Sequence, residues 1–329
     1  MKKLTEKDIC IVIATYNRAE DIDRTLSTLI KNKNIPGKII VIDQSKDNKT
    51  KKIVEKFKKN LPIEYVFSKI PSSSIAKNKG INLAKKKFEL ILILDDDVDL
   101  FENYFKEALK EFNKRPNLKC LSGVDMRKNK IPSKLSTIWL RLFFLPYLKK
   151  NKVKVTGPYG NSIIANITKI IEDVEWIQGF NMFFRKKAFN NYSLQEIKGY
   201  NVIEDVDSSY RLFKKYGAGS LIITPKCKTY HRYSNIARYN ERKRIYVNHE
   251  DHRYILYKYF PGLKNRIKFY WSILGIILGH LIRSLIKPTI QNRTYLKYNF
   301  NAIIYAYKNR NNIKKGIMRE FLKKNLSMK

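Results

Sequence analysis

Phe88-Glu-Leu-Ile-Leu-Ile-Leu-Asp-Asp-Asp-Val-Asp-Leu-Phe101 is the stretch that decides how the chain folds. Its aliphatic run from Leu90 to Leu94 stops at three carboxylates, Asp95, Asp96 and Asp97. An unbroken apolar run of this length suits a strand buried on both faces, as in a parallel sheet. Ligands of open α/β sheets bind just beyond the carboxyl ends of the strands. Adjacent aspartates at such an edge repel one another unless a cation compensates, and a hard divalent ion takes oxygen ligands. Which oxygens of Asp95 and Asp97 meet metal, and which meet sugar or ribose, stays open on this stretch alone. A solvated acidic turn is the alternative reading.

Outward from this strand, short apolar runs alternate with helical spacing. Ile9-Cys-Ile-Val-Ile-Ala14 predicts a first strand, and Ile22, Leu26, Leu29 and Ile30 then recur at helical intervals. Lys38-Ile-Ile-Val-Ile-Asp43 and Ile63–Phe67 predict the second and third strands, with a helix through Ile53, Val54 and Phe57 between them. Pro71-Ser-Ser-Ser-Ile-Ala-Lys-Asn-Lys-Gly80 opens a helix running to about Lys86, which makes the aspartate strand the fourth. A helix near 102–112, a strand at 118–124 and sheet-like character over Trp176–Arg185 follow. Tyr200-Asn-Val-Ile-Glu-Asp-Val-Asp207 leads into a helix with Val206, Tyr210 and Phe213 on one face, then a short strand at Leu221–Ile223 precedes His231. The basic, aromatic stretch from Lys128 to Gly160 fits no single element, and its Trp139, Phe143, Phe144, Leu145 and Tyr147 read as core packing before a flap or an apolar surface. Strands alternating with helices predict a mostly parallel sheet with right-handed crossovers.

The 329 residues hold 67 Lys and Arg against 29 Asp and Glu, for a net charge of +38. A field this positive draws a protein towards nucleic acid, anionic lipid or phosphorylated substrates. Runs such as Lys31-Asn-Lys-Asn34 point equally to a coding bias, so charge alone assigns no function. Cys10, Cys120 and Cys227 lie far apart with no zinc spacing and read as buried thiols of a reducing compartment. No signal peptide opens the sequence, which places the catalytic part in the cytosol. Residues 232–329 carry 22 Lys and Arg but 4 Asp and Glu. They include Phe269-Tyr-Trp-Ser-Ile-Leu-Gly-Ile-Ile-Leu-Gly-His-Leu-Ile-Arg-Ser-Leu-Ile286, marginal for a spanning helix because His280 and Arg283 lie inside it. An aromatic start and flanking lysines fit a helix lying in the interface of an anionic leaflet, with a core helix or a full span as alternatives.

The first two strands end in polar side chains, Thr15 and Asp43, where a dinucleotide fold would carry glycines, and no phosphate loop is present. Asp43 suits the imide N–H of a uracil-like base. With these pieces in order, the chain resembles a family 2 glycosyltransferase of the GT-A fold. The resemblance runs over residues 8–235. It is carried by Ile-Val-Ile-Ala-Thr-Tyr-Asn-Arg (11–18), Val-Ile-Asp-Gln-Ser-Lys-Asp (41–47), Ala-Lys-Asn-Lys-Gly (76–80) and Leu-Asp-Asp-Asp (94–97). Gly-Phe-Asn-Met-Phe-Phe-Arg (179–185), Glu-Asp-Val-Asp-Ser-Ser-Tyr-Arg-Leu (204–212) and His231 complete the series. Lys77 stands where the family usually has arginine, and Gln44 replaces a common Asp, Asn or Gly.

The resemblance implies an α/β catalytic domain over residues 1–235, with a mostly parallel central sheet flanked by helices. A basic, partly apolar helical extension over 236–329 follows, associating with the anionic cytosolic face of a membrane. It implies transfer with inversion from a nucleotide-sugar donor to a glycan or lipid-linked acceptor, assisted by a divalent cation, Mn²⁺ or Mg²⁺. Donor contacts fall to Thr15, Tyr16, Asn17, Arg18, Asp43, Lys77, Asn78, Asp95 and Asp96. Metal ligation falls to Asp97, with Asp95 and His231. Inversion by direct displacement needs a base on the acceptor hydroxyl, for which Asp205 is the candidate, with Glu204 orienting or replacing it. Gly179, Asn181 and Trp176 would border the acceptor. The plain alternative for Glu204 and Asp205 is acidic residues stabilised at a helix N-terminus. Rival readings are a haloacid-dehalogenase-type phosphatase using Asp97 and Asp99, a metal-dependent nucleotidyltransferase, and a non-enzymatic nucleic-acid-binding protein. No nucleic-acid-reading module is present, so no specific nucleic acid is expected.

Overall fold

The computed structural model describes residues 2–32, 35–127, 131–149, 151–190, 193–196, 203–236 and 239–323. The first strands and helices alternate as the apolar spacing predicts. They are β1 (Ile9–Thr15), α1 (Ala19–Ile30), β2 (Lys38–Asp43), α2 (Lys49–Phe57), β3 (Ile63–Phe67), α3 (Ser73–Ala84) and β4 (Leu90–Asp95). After β5 (Val98–Leu100) come α4 (Tyr104–Lys114), β6 (Cys120–Asp125), α5 (Lys134–Leu142), β7 (Tyr147–Leu148) and β8 (Ser162–Ile163). The sheet resumes at β9 (Asn181–Arg185), followed by α6 (Glu204–Tyr216) and β10 (Leu221–His231). The helical tail is α7 (Glu241–Tyr259), α8 (Leu263–Ile286), α9 (Ile290–Lys308), α10 (Arg310–Lys314) and α11 (Glu320–Lys323). Residues 200–202, part of the stretch leading into α6, lie outside the described residues.

Eight strands form one sheet in the order β3-β2-β1-β4-β9-β6-β10-β5. Within it β3, β2, β1 and β4 are mutually parallel, as are β6 and β10. β9 runs antiparallel to both β4 and β6, and β5 antiparallel to β10. Two features depart from the sequence reading. β10 is no short strand: it continues to His231 through a register shift between Ile223 and Lys228, around Pro225, whose missing N–H breaks the ladder. β5 pairs with that extension, which the sequence pattern did not show.

Strand residues alternate between two cores, because successive side chains point to opposite faces. Ile9, Ile11, Ile13, Leu90, Leu92 and Leu94 pack with Ile22, Leu26, Phe105 and Phe112 on one face. Cys10, Val12, Ile91 and Ile93 pack with Ala76, Ile81 and Leu212 on the other. Both faces are therefore covered, which is why β1, β2 and β4 read as continuous apolar runs. The three thiols are free and buried.

The tail docks against this body. α7 inserts a run of buried polar residues, with His249 bonded to Tyr159 and Asn299, and His252 to the Pro158 carbonyl. Burial holds both imidazoles down at about 4, so they are neutral at physiological pH. Lys258 Nζ reaches Asp207 Oδ1 at 2.6 Å, tying α7 to α6.

Candidate active site

The carboxyl ends of β1, β2, β4 and β10 meet at one edge of the sheet and deliver Thr15, Asp43, Asp95 and His231. The register sets Thr15 opposite Asp43, Ala14 opposite Asp95, and Asn181, the first residue of antiparallel β9, opposite Leu94. Asp96 turns inward. Its carboxylate accepts from Thr15 Oγ1 at 2.7 Å and from Arg18 at 3.0 Å, so the first-strand motif is bonded directly to the aspartate run. Burial pushes this carboxyl up to about 6, with Asp97 and Asp95 adding to the rise and Arg18 and Thr15 opposing it.

Asp97 faces His231. Nε2 of the imidazole lies 3.0 Å from Asp97 Oδ1, and the Ser234 N–H donates to Oδ2 at 2.8 Å. Burial works to raise this carboxyl, but His231 and the Ser234 N–H hold it at about 2. Phe180 and Tyr233 stack on the imidazole, with ring centroids at 4.9 and 4.0 Å. Ligand atoms from Asp95, Asp97 and His231 all lie within 4.8 Å of one another. Two hard carboxylates and an imidazole, with the His231 Nδ1 buried and unpartnered, are a donor set that fits a divalent cation.

Lys77, on the second turn of α3, joins this cluster to the candidate base. Its buried ammonium sits 3.5 Å from Asp95 Oδ1 and 3.1 Å from Glu204 Oε1. Burial alone would lower its pKa, and Glu204 and Asp95 outweigh it and raise the value, so the lysine stays charged. Asp205 is next along. Its Oδ2 accepts the Gly179 N–H at 3.1 Å and its Oδ1 the Val206 N–H at 2.8 Å. Burial pushes Asp205 up to about 7; the Val206 N–H opposes, Glu204 adds, and the Gly179 N–H and Lys77 oppose. Gly179 is needed for this approach, because a Cβ there would lie 3.2 Å from that of Asp205.

The other expected residues divide. Asn17 adopts φ 53° in the turn after β1, its N–H on Ser45 Oγ and its Oδ1 accepting from Lys46 N. Tyr16 beside it is half-buried. Asp43 has the edge position expected of a base-binding carboxylate but is fully enclosed, accepting from Ser45 N and from Tyr65 Oη at 2.9 Å each. Asn78 does not face the cleft: its amide straps the chain at Leu194 and Glu196. Asn181, expected at the acceptor, is wholly buried between β9 and β6, bonded to Ser122, Gly123 and Thr229. It is held there because β9 lies inside the sheet, with strands on both sides. Trp176 packs beside the second core with its indole N–H unpartnered.

Sequence reasoning missed two groups. Arg232 clamps the aspartate loop: its guanidinium pairs with Asp99 and reaches Thr25 Oγ1 at 2.9 Å and the Asp96 carbonyl at 3.2 Å. Its place directly after His231 was the available signal. Asp207, in contact with Lys258 and with Tyr259 Oη, had no signal, because its partners lie some fifty residues away.

The fold and the edge chemistry define a GT-A transferase. Solved structures share the architecture: TarS residues 1–349 of S. aureus in complex with UDP-GlcNAc (TM-score 0.52, 16% identity, 94% of this chain and 83% of that one). The mannosyltransferase PcManGT of Pyrobaculum calidifontis, in complex with GDP-Man and Mn²⁺, does so as well (TM-score 0.55, 12% identity, 92% and 86%). Residues 10–173 match the model for glycosyl transferase family 2. The chain belongs to that family and is a glycosyltransferase. Among curated relatives, the poly-beta-1,6-N-acetyl-D-glucosamine synthase of Staphylococcus epidermidis is 22% identical over 314 residues, covering 91% of this chain and 70% of that protein.

Proposed function

We propose that the enzyme transfers a sugar from a nucleoside-diphosphate sugar to an acceptor hydroxyl with inversion, and that Asp205 is the general base. The observation that carries this reading is the line from Asp97 and His231 through Asp95 and Lys77 to Glu204 and Asp205, a cation-suited cluster and a raised carboxyl on one edge. Asp95, Asp97 and His231 would hold a divalent cation, Mn²⁺ or Mg²⁺. Such an ion supplies charge neutralisation to the departing nucleoside diphosphate.

The residues of the chain supply the rest. Asp205, deprotonated above about pH 7, takes the proton of the acceptor O–H as that oxygen bonds to the anomeric carbon and the bond from that carbon to the diphosphate breaks. The Gly179 and Val206 N–H groups fix the direction of its carboxylate. Lys77 holds Glu204 beside the base and keeps positive charge near the phosphates, without the bidentate fork of an arginine. Thr15 and Arg18 hold the Asp96 carboxylate, which fixes the backbone that presents Asp95 to Lys77 and Asp97 to His231. Tyr16 and Asn17 border the nucleoside end, and Asp43, enclosed by Ser45 and Tyr65, would have to release one of them to meet a base. UDP-GlcNAc is the first donor to try, since the TarS complex contains it. The acceptor is a glycan or lipid-linked glycan precursor, and the three free thiols suit work in the cytosol.

The test is a screen of nucleotide sugars with Mn²⁺ and Mg²⁺, reading thermal shift and release of nucleoside diphosphate. Asp205→Asn should retain donor-induced stabilisation and lose transfer. Weakened donor binding with residual turnover moves the base elsewhere. Release of pyrophosphate, or phosphate release without any sugar donor, replaces this reading with one of the rival enzymes.

A further inference from the structure

Along α8 one face of the helical tail is apolar and exposed. On α8, Leu263, Ile267, Trp271, Leu274, Leu281 and Leu285 are 74%, 61%, 41%, 41%, 40% and 72% exposed. At 3.6 residues per turn and 1.5 Å per residue these positions fall on one stripe about 33 Å long. Soluble surfaces rarely carry an apolar stripe of this extent without a partner.

Two neighbouring helices widen it. α5 packs along one flank of α8: Trp271 Nε1 donates to the Leu142 carbonyl at 2.8 Å, Gly275 takes the Phe143 ring and Gly279 lies over Trp139. These contacts run α5 antiparallel to α8 and leave Leu135, Ile138 and Leu142 exposed beside the stripe. α9 packs on the other flank through the His280–Tyr295 stack, with Phe300, Ile304 and Tyr307 exposed. A groove of about 410 Å³ between α8 and α9 is lined by Ile277, Leu281, Leu296 and Phe300, with Arg293 and Lys297 at its side.

Charge chooses the partner. No Asp or Glu occurs between Asp251 and Glu320, or between Asp125 and Glu172, so the three helices and their flanks carry none. Lys264, Lys268, Lys287, Arg293 and Lys297 border the apolar surface instead. A basic rim around an apolar, aromatic-edged face is complementary to a bilayer with anionic headgroups. A second copy of the face would set these cations against one another.

We propose that α5, α8 and α9 form a platform that seats the enzyme on the surface of an anionic phospholipid bilayer, with α8 lying in the interface rather than crossing the membrane. By length and composition α8 could cross, yet its inner face is committed to the protein, with Phe269 and Ile273 buried among Phe143, Tyr159 and Leu256. His280 and Arg283 fall off the stripe and stay clear of the lipid side. The chain beyond α9 returns to α7, where Arg319 pairs with Glu250 and Asp251. This inference is independent of the donor and the base.

The test is flotation of the full chain with vesicles of phosphatidylcholine, with and without phosphatidylglycerol, alongside sedimentation velocity without lipid. The protein should float with the mixed vesicles. Leu274→Glu/Leu281→Glu should weaken partitioning about tenfold or more. Lys264→Glu/Lys268→Glu should remove the preference for phosphatidylglycerol, and Lys52→Glu, on the remote α2, should change nothing. Since Leu274 and Leu281 are exposed, circular dichroism of that variant should match the parent. Failure of the parent to float, or equal flotation of the Leu274→Glu/Leu281→Glu variant, overturns the proposal. So does a tight lipid-free dimer that the same variant splits, which would make the face a contact between copies.

Discussion

Arg319→Met probes how far a buried ion triad within the helical tail contributes to the stability of the fold. Arg319 is 2% exposed, and its guanidinium meets Glu250 at 2.8 Å as well as Asp251, carboxylates that are 1% and 0% exposed. At an effective dielectric near 20 each contact is worth about 5–6 kcal/mol of gross attraction. Taking three ions out of water cancels most of that sum. Removing only the arginine strands two carboxylates, with an expected loss of about 3–5 kcal/mol. Burial already raises Glu250 above its ordinary 4.5, with Arg319 opposing the rise. Without the arginine Glu250 rises further above its unfolded value, so the folded state binds protons more tightly than the unfolded one. The deficit is then full near pH 8 and shrinks towards about pH 5. Urea unfolding at the two pH values reads it. The triple variant Arg319→Met/Glu250→Gln/Asp251→Asn strands no charge and should lie within about 1 kcal/mol of the parent. A single-variant loss below about 1 kcal/mol, or the same loss at both pH values, would refute the reasoning.

Further outcomes follow from the site. The rate of sugar transfer should rise with pH through about 7, the value at which Asp205 becomes a carboxylate able to accept a proton; a profile flat from pH 5 to 9 would remove Asp205 from the role. Gly179→Ala sets a methyl 3.2 Å from the Asp205 Cβ, and the shift it forces should cut kcat by about tenfold or more while urea stability moves by less than about 1 kcal/mol. Asp97→Asn should abolish the rise in melting temperature given by Mn²⁺ in the parent, measured by differential scanning fluorimetry; an undiminished rise would place the ion elsewhere. Gly275→Ala sets a carbon 2.3 Å from Phe143 Cγ and should cost about 1–3 kcal/mol in urea by prising α5 from α8.

Much of the candidate site was legible because its residues sit at strand ends, where apolar runs stop at polar groups. Thr15, Asp43 and the run from Asp95 to Asp97 mark those ends, and β1, β2 and β4 close at or beside them. What the pattern could not show was the direction of each side chain. Asp96 and Asp97 are neighbours in sequence and both buried, yet one turns to Thr15 and Arg18 and the other to His231. Asn78 and Asn181 lie in motifs, but a strap to Leu194 and a central strand position occupy their amides. The length of β10 escaped notice because Pro225 reads as a breaker, whereas the strand resumes beyond it and pairs with β5.

Local patterning by itself determined the alternating strands and helices, the two-sided burial of β1, β2 and β4 and the acidic edge, since each depends on spacing within a dozen residues. Only the folded chain decided that Lys77 joins Asp95 to Glu204, that Lys258 reaches Asp207, and that Arg319 closes on Glu250 and Asp251. The apolar character of α8 was likewise plain from composition, but which face it buries was set by the rings of Trp139 and Phe143 seated over Gly279 and Gly275. These are pairings across tens to hundreds of residues. Their partners are chosen by which surfaces meet in the packed state, and no periodicity along a single segment encodes that.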